Sequence, residues 1–147
     1  MRILVLCTGN SCRSQMAHGF LQSFDRHIEV FSAGTSPAKH VHPIAISVMS
    51  EVGIDISHHI PKMVEQYLNE QWDYVITVCG GANETCPTSV GKVGKRIHIG
   101  FDDPSIVIGS KDFVISEFRR VRDNIRKAFC DFYGNYSANA HAAAIHA

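Results

Sequence analysis

The chain has 147 residues, enough for one domain with a substantial apolar core and too few for two comfortable ones. Hydrophobic residues make up 45% of it, which excludes a disordered polymer. Fourteen Lys and Arg balance fourteen Asp and Glu, so no global field recruits nucleic acid or an anionic membrane, and any anion selectivity must be local.

Met1-Arg2 and the apolar run Ile3-Leu4-Val5-Leu6 open the chain. The run is shorter than the apolar region of a signal peptide, about seven to fifteen residues. A lipoprotein reading fails at Leu6, where a small residue is required. No window reaches membrane-spanning length. A cytoplasmic protein with no membrane partner is the expectation, and the run reads as a first strand.

Ala17, Phe20, Leu21 and Phe24 then fall on one helical face. Ile28 to Ser32 alternates and ends at Ala33-Gly34, a second strand. Pro43 begins a helix carrying Ala45, Val48, Met49 and Val52, with Gly53 as its stop. A further helical pattern is expected from Pro61 through Met63, Val64, Tyr67 and Leu68. Tyr74 to Val78 is a third, doubly buried strand, and Gly80 to Thr85 a mobile loop. Arg96 to Ile99 is a fourth strand. Val114, Phe118, Val121, Ile125 and Phe129 mark a last helix ending near Tyr133-Gly134. Residues 1–134 are thus expected as a single domain, and 135–147 as a poorly ordered tail. The alternation predicts an α/β three-layer sandwich on a four-stranded parallel sheet of order 2-1-3-4, with ligands at the carboxyl ends of strands one and three.

Between the first strand and first helix lies Cys7-Thr8-Gly9-Asn10-Ser11-Cys12-Arg13-Ser14. A strand-to-helix turn gathers backbone N–H groups and the positive end of a helix dipole. Gly9 relaxes the backbone and Arg13 offers a planar fork to a tetrahedral oxyanion. The same field favours an anionic sulfur at Cys7. A nucleophile facing an oxyanion suits displacement at phosphorus or arsenic.

The chain has five cysteines, Cys7, Cys12, Cys79, Cys86 and Cys130. Cys-x4-Cys and Cys-x6-Cys are poor zinc spacings, and His40, His42, His58 and His59 lack partners at i, i+4, so no metal site is expected. Cys7 and Cys79 end the adjacent strands one and three. Strands lie about 4.8 Å apart and bridged Cα atoms about 5.5–6 Å, so the two are within disulfide reach after a small loop shift. Cys86 follows at the far end of the Gly-rich loop. Cys12 and Cys130 are expected to be structural.

The spacing Cys-x5-Arg-Ser after a strand resembles the phosphate-binding loop of the low-molecular-weight protein tyrosine phosphatase superfamily. With Ser32-Ala33-Gly34, Ile54-Asp55-Ile56-Ser57, Val78-Cys79, Cys86-Pro87, Gly100-Phe101-Asp102-Asp103-Pro104 and Glu117 to Asp123, the chain resembles that superfamily's thioredoxin-coupled arsenate reductases over residues 1–133. The resemblance implies reduction of arsenate to arsenite, with phosphate or sulfate as analogues. Thr8, Gly9, Asn10, Ser11, Cys12, Arg13 and Ser14 hold the oxyanion, Cys7 attacks it, and Asp103 protonates the leaving oxygen. Cys79 then attacks Cys7, Cys86 attacks Cys79, and thioredoxin reduces the Cys79–Cys86 disulfide. No dissociable cofactor is implied, and a monomer is expected.

One departure stands out. Potassium-binding relatives carry carboxylates where this chain has His18 and Lys62, so no specific potassium site is expected although Asn10 and Ser32 remain. The alternative activity is a low-molecular-weight tyrosine phosphatase. It is disfavoured because Ser105-Ile106-Val107 stands where such enzymes carry aromatic residues after Asp-Pro. An oxyanion- or phosphopeptide-binding module without turnover is a third reading, disfavoured by Cys7, Arg13 and Asp103 together.

Overall fold

The computed structural model describes residues 1–80 and 92–146, with side chains through residue 137. Strands β1 (Arg2–Cys7), β2 (Glu29–Gly34), β3 (Gln71–Thr77) and β4 (Lys92–His98) form one parallel sheet in the order β2-β1-β3-β4. The expected α/β winding is the observed one. Successive strand side chains alternate between faces, so each strand feeds two clusters. Ile3, Val5 and Cys7 join the larger, with Met16, Ala17, Phe20 and Leu21 of α1 (Arg13–Phe24), Val48 and Met49 of α2 (Pro43–Ser50), and Phe118, Ile125 and Phe129 of α3 (Lys111–His146). Leu4 and Leu6 face the other way, onto Ala33, Val64, Trp72 and Val75. This thinner layer completes the three-layer arrangement.

Two expected elements differ. The pattern from Pro61 yields only a 3-10 turn, Val64–Tyr67, rather than an α-helix. Its leading backbone is committed elsewhere: Lys62 O accepts from Gly34 N at 2.9 Å, Lys62 N donates to Asn10 Oδ1 at 2.9 Å, and Met63 bridges Gly34. Lys62 O, accepting from Gly34 N, and Met63, bridged to Gly34 with extended φ −81° and ψ 134°, hold this backbone strand-like just where the helix would start. The last helix passes the expected stop at Tyr133-Gly134 and continues to His146, so the segment expected as a poorly ordered tail carries helical backbone. Ala138, Ala140, Ala142, Ala143 and Ala144 are the strongest helix formers and outweigh one internal glycine, a cost of about 1 kcal/mol.

α3 is fastened to the end of α2 through Glu51, which takes Arg119 Nη2 at 2.6 Å and Arg122 Nη1 at 2.7 Å. Among the described residues, no helix is long and apolar enough to cross a membrane. The expected loop beyond Gly80, and Cys86 with it, lie outside the described residues.

Candidate active site

β1 carries Cys7 to the carboxyl edge of the sheet, and α1 begins six residues later at Arg13. The turn between them owes its shape to where its carbonyls go. Thr8 O accepts from Ser36 N at 3.0 Å, Gly9 O from Ala38 N at 2.9 Å and Ser11 O from His42 N at 3.0 Å. Asn10 O accepts from Gln15 Nε2 at 3.1 Å. In a trans peptide the N–H points opposite to the carbonyl. The amides of Gly9, Asn10, Ser11 and Cys12 are therefore turned toward the inner side of the loop, where α1 starts without a side-chain cap. Close approach makes this possible, since a Cβ on Gly34 would lie 2.3 Å from Thr8 O.

Inside the loop, Asn10 N donates to Cys7 Sγ at 3.1 Å, and Ser14 Oγ lies 2.8 Å from the same sulfur. Ser14 Oγ already accepts from Asn10 Nδ2 at 2.7 Å, leaving its own hydrogen for the sulfur. Two donors converging on one sulfur suit an anionic nucleophile. Asn10 adopts φ 49°, a left-handed conformation that Asn tolerates better than most residues. Gln15 Nε2 and Lys62 N fix its Oδ1 at 3.2 and 2.9 Å. Gln15 is in turn held by His59 Nδ1 at 2.9 Å. Sequence reasoning assigned no role to Gln15, His59 or the 36–42 backbone; the available signals were the place of Gln15 directly after the octet, the run Ile54-Asp55-Ile56-Ser57 leading to His59, and the run Ser32-Ala33-Gly34 leading into 36–42.

The cleft enclosed by residues 7–13, Thr35, Ser36, Asp103 and Ser105 has a volume of about 440 Å³. Arg13, only 4% exposed, donates from Nη1 to Phe101 O at 3.2 Å and places Nη2 3.5 Å from Asp103 Oδ2. Asp103 caps the 3-10 turn Pro104–Ile106, its Oδ1 accepting from Ser105 N at 3.0 Å and Ser105 Oγ at 2.6 Å. Burial pushes the Cys12 thiol up to about 12, so it stays protonated and unreactive at neutral pH. Thr8 Oγ1 is buried with no hydrogen-bond partner, alone in this among the described side chains.

The expected residues from Cys7 to Arg13 thus meet Asp103 across one cleft, with Ser14 behind the sulfur. Cys79 is buried two residues past β3, next to the position that faces Cys7, and is disulfide-bonded. Cys7, Cys12 and Cys130 are free thiols. The Cys79 segment runs beside the Asp103 loop, since a Cβ on Gly80 would collide with Phe101 O.

A second cleft, of about 370 Å³, includes Gln15, His18, Ser32, His58, His59 and Lys62 in its lining. His18 Nδ1 lies 3.0 Å from Ser32 Oγ, and the His18 and His59 rings are 4.5 Å apart. Burial, with the neighbouring His59 and His58, lowers His18 to about 3. Asn10 Oδ1 and Ser32 Oγ are both engaged by protein groups. Among the described residues, no group of three or more His, Cys, Asp or Glu could hold a metal ion.

The chain belongs to the family described as low molecular weight phosphotyrosine protein phosphatase, which matches residues 2–141. Within it, the chain is similar to the arsenate reductase of Halalkalibacterium halodurans, with 43% identity over 131 residues that cover 88% of this chain and 93% of that one. A solved arsenate reductase in its phosphate-binding state superposes with a TM-score of 0.74 at 31% identity, covering 91% of this chain and 97% of the other. The thioredoxin-dependent arsenate reductase of Corynebacterium glutamicum superposes at 0.58 with 26% identity, covering 91% and 62%.

Proposed function

We propose that this protein is a thioredoxin-coupled arsenate reductase working through three cysteines. The inward amides and Arg13 hold arsenate while Cys7 Sγ attacks arsenic and Asp103 gives its proton to the departing oxygen, which leaves as water. Cys79 thiolate then attacks Cys7 Sγ. The sulfur–arsenic bond breaks with its electron pair on arsenic, releasing arsenite, and a Cys7–Cys79 disulfide forms. Cys86 thiolate attacks Cys79 and frees Cys7. Thioredoxin supplies two electrons to the Cys79–Cys86 disulfide by thiol–disulfide exchange.

The observation that carries this reading is a free Cys7 in the cradle and a disulfide-bonded Cys79 just past the adjoining strand. The similarity to a thioredoxin-dependent reductase supports the choice of reductant. A monomeric, cytoplasmic enzyme without a resident cofactor completes the proposal. Slow hydrolysis of small aryl phosphates is expected as a side activity, because the loop itself does not distinguish phosphorus from arsenic.

The test is arsenate-dependent NADPH oxidation with thioredoxin and thioredoxin reductase. Cys79→Ser and Cys86→Ser should each abolish multiple turnovers while aryl phosphate hydrolysis stays measurable. Full arsenate turnover in both variants would sink the relay. Turnover supported by glutathione and glutaredoxin but not by thioredoxin would instead replace the reductant.

A further inference from the structure

Three arginines of α3 point to two different destinations. Arg119 and Arg122 close on Glu51, whereas Arg120 Nη2 lies 3.2 Å from Asp102 Oδ2 and 2.8 Å from Glu117 Oε2. Asp102 directly precedes Asp103. Each residue of this short stretch is held by a different group: Phe101 O by Arg13 Nη1 at 3.2 Å, Asp102 by Arg120, and Asp103 Oδ1 by Ser105. Arg13 and Ser105 line the cleft, while Arg120 acts from outside it.

The geometry points to Arg120, oriented by Glu117, as a positioning residue that sets Asp103 by tethering Asp102. The inference rests on the reading of Asp103 as proton donor. Backbone torsions of consecutive residues are linked through rigid peptides, so holding the Asp102 side chain narrows the range open to the Asp103 carboxyl. Glu117, one turn earlier on the same helix face, confines the flexible Arg120 side chain. Both partners are exposed, Asp102 with 75% of its side chain open to solvent, so the effect is modest, about twofold to fivefold.

A lost proton donor hurts poor leaving groups more than good ones, a pattern that general loss of structure does not produce. Arg120→Ala should therefore lower kcat/KM for phenyl phosphate by about twofold to fivefold, with a smaller loss for 4-nitrophenyl phosphate. Glu117→Gln should shift the ratio the same way, less strongly. Amide hydrogen exchange across residues 100–106 should speed up in Arg120→Ala. Arg119→Ala, which loses an ion pair on the same helix but not the tether, should change neither readout. Unchanged exchange in Arg120→Ala, or equal losses on the two substrates, overturns the inference. Asp103→Asn in the same assay separates the two layers. If it too lacks leaving-group selectivity, the proton-donor reading has failed; if it is selective and Arg120→Ala is not, the tether alone has failed.

Discussion

Asn10 lines one cleft and its hydrogen-bond partner Gln15 lines the other, so two cavities of about 440 and 370 Å³ share a wall. In the first, every carbonyl from Thr8 to Ser11 is bonded to groups outside the loop, and the N–H groups face inward, that of Asn10 onto Cys7 Sγ. In the second, Ser32 pairs with His18 and Gln15 with His59, while Lys62 N reaches Asn10 Oδ1 in the shared wall. A cavity's chemistry therefore depends less on which residues line it than on which of their hydrogen-bonding groups are already committed.

Replacing Arg13 with Lys should hurt the first cleft most. The planar fork that reaches both Phe101 O and Asp103 is lost, and kcat/KM for arsenate should fall by about a hundredfold to a thousandfold. Steady-state kinetics check this, with melting curves confirming the fold. Activity within a few-fold of wild type would mean the amides alone suffice.

The shared wall is next. Asn10→Ala leaves Gln15 Nε2 and Lys62 N without their Oδ1 acceptor and forces Ala into φ 49°. A loss of about 2–4 kcal/mol in urea unfolding is expected, with a parallel loss of activity. Asn10→Gly, which accepts the torsion but not the bonds, should fall between the two proteins. If Gly restores wild-type stability, the side-chain bonds contribute nothing.

The second cleft should show itself in acid. His18 stays neutral in the fold down to about 3, whereas the unfolded chain takes up a proton near its ordinary 6.5. The unfolded state therefore binds more protons below 6.5, so stability is undiminished by this group above that pH. It falls as pH drops toward about 3, by about 1.4 kcal/mol per pH unit. His18→Gln, which can still bond Ser32, should flatten that slope; urea midpoints measured from pH 7 to pH 4 that stay parallel in the two proteins would refute it.

The smallest effect is expected at the orphaned hydroxyl. Thr8→Val removes a buried group that has no partner, so stability should hold or rise by up to about 1 kcal/mol. The backbone N–H groups of the cradle survive, and kcat/KM should stay within about twofold. A selective drop in kcat would show that the hydroxyl acquires a partner during turnover.

Much of this was legible in the residues themselves. The strand Ile3 to Leu6, the α1 face of Ala17, Phe20 and Leu21, and the octet between them are contiguous, and each follows from short-range periodicity or turn chemistry. Asp103, about a hundred residues from Cys7, was reached only through family resemblance, because nothing local distinguishes it from a turn aspartate before Pro104. The misreading at Pro61 shows the limit. Met63, Val64, Tyr67 and Leu68 have helical spacing, but the backbone before them is spent on Gly34 and Asn10.

By itself the sequence determined the sheet order, the strand-to-helix placement of Cys7 and Arg13, and the absence of a global field, since these depend on spacing, periodicity and charge count. Tertiary structure alone decided which way the loop peptides face and which polar groups lining the two clefts are already bonded within the protein. The partners that settle those questions, Ser36, Ala38 and His42 on one side and His59 and Lys62 on the other, come from segments the octet meets only once the chain has folded.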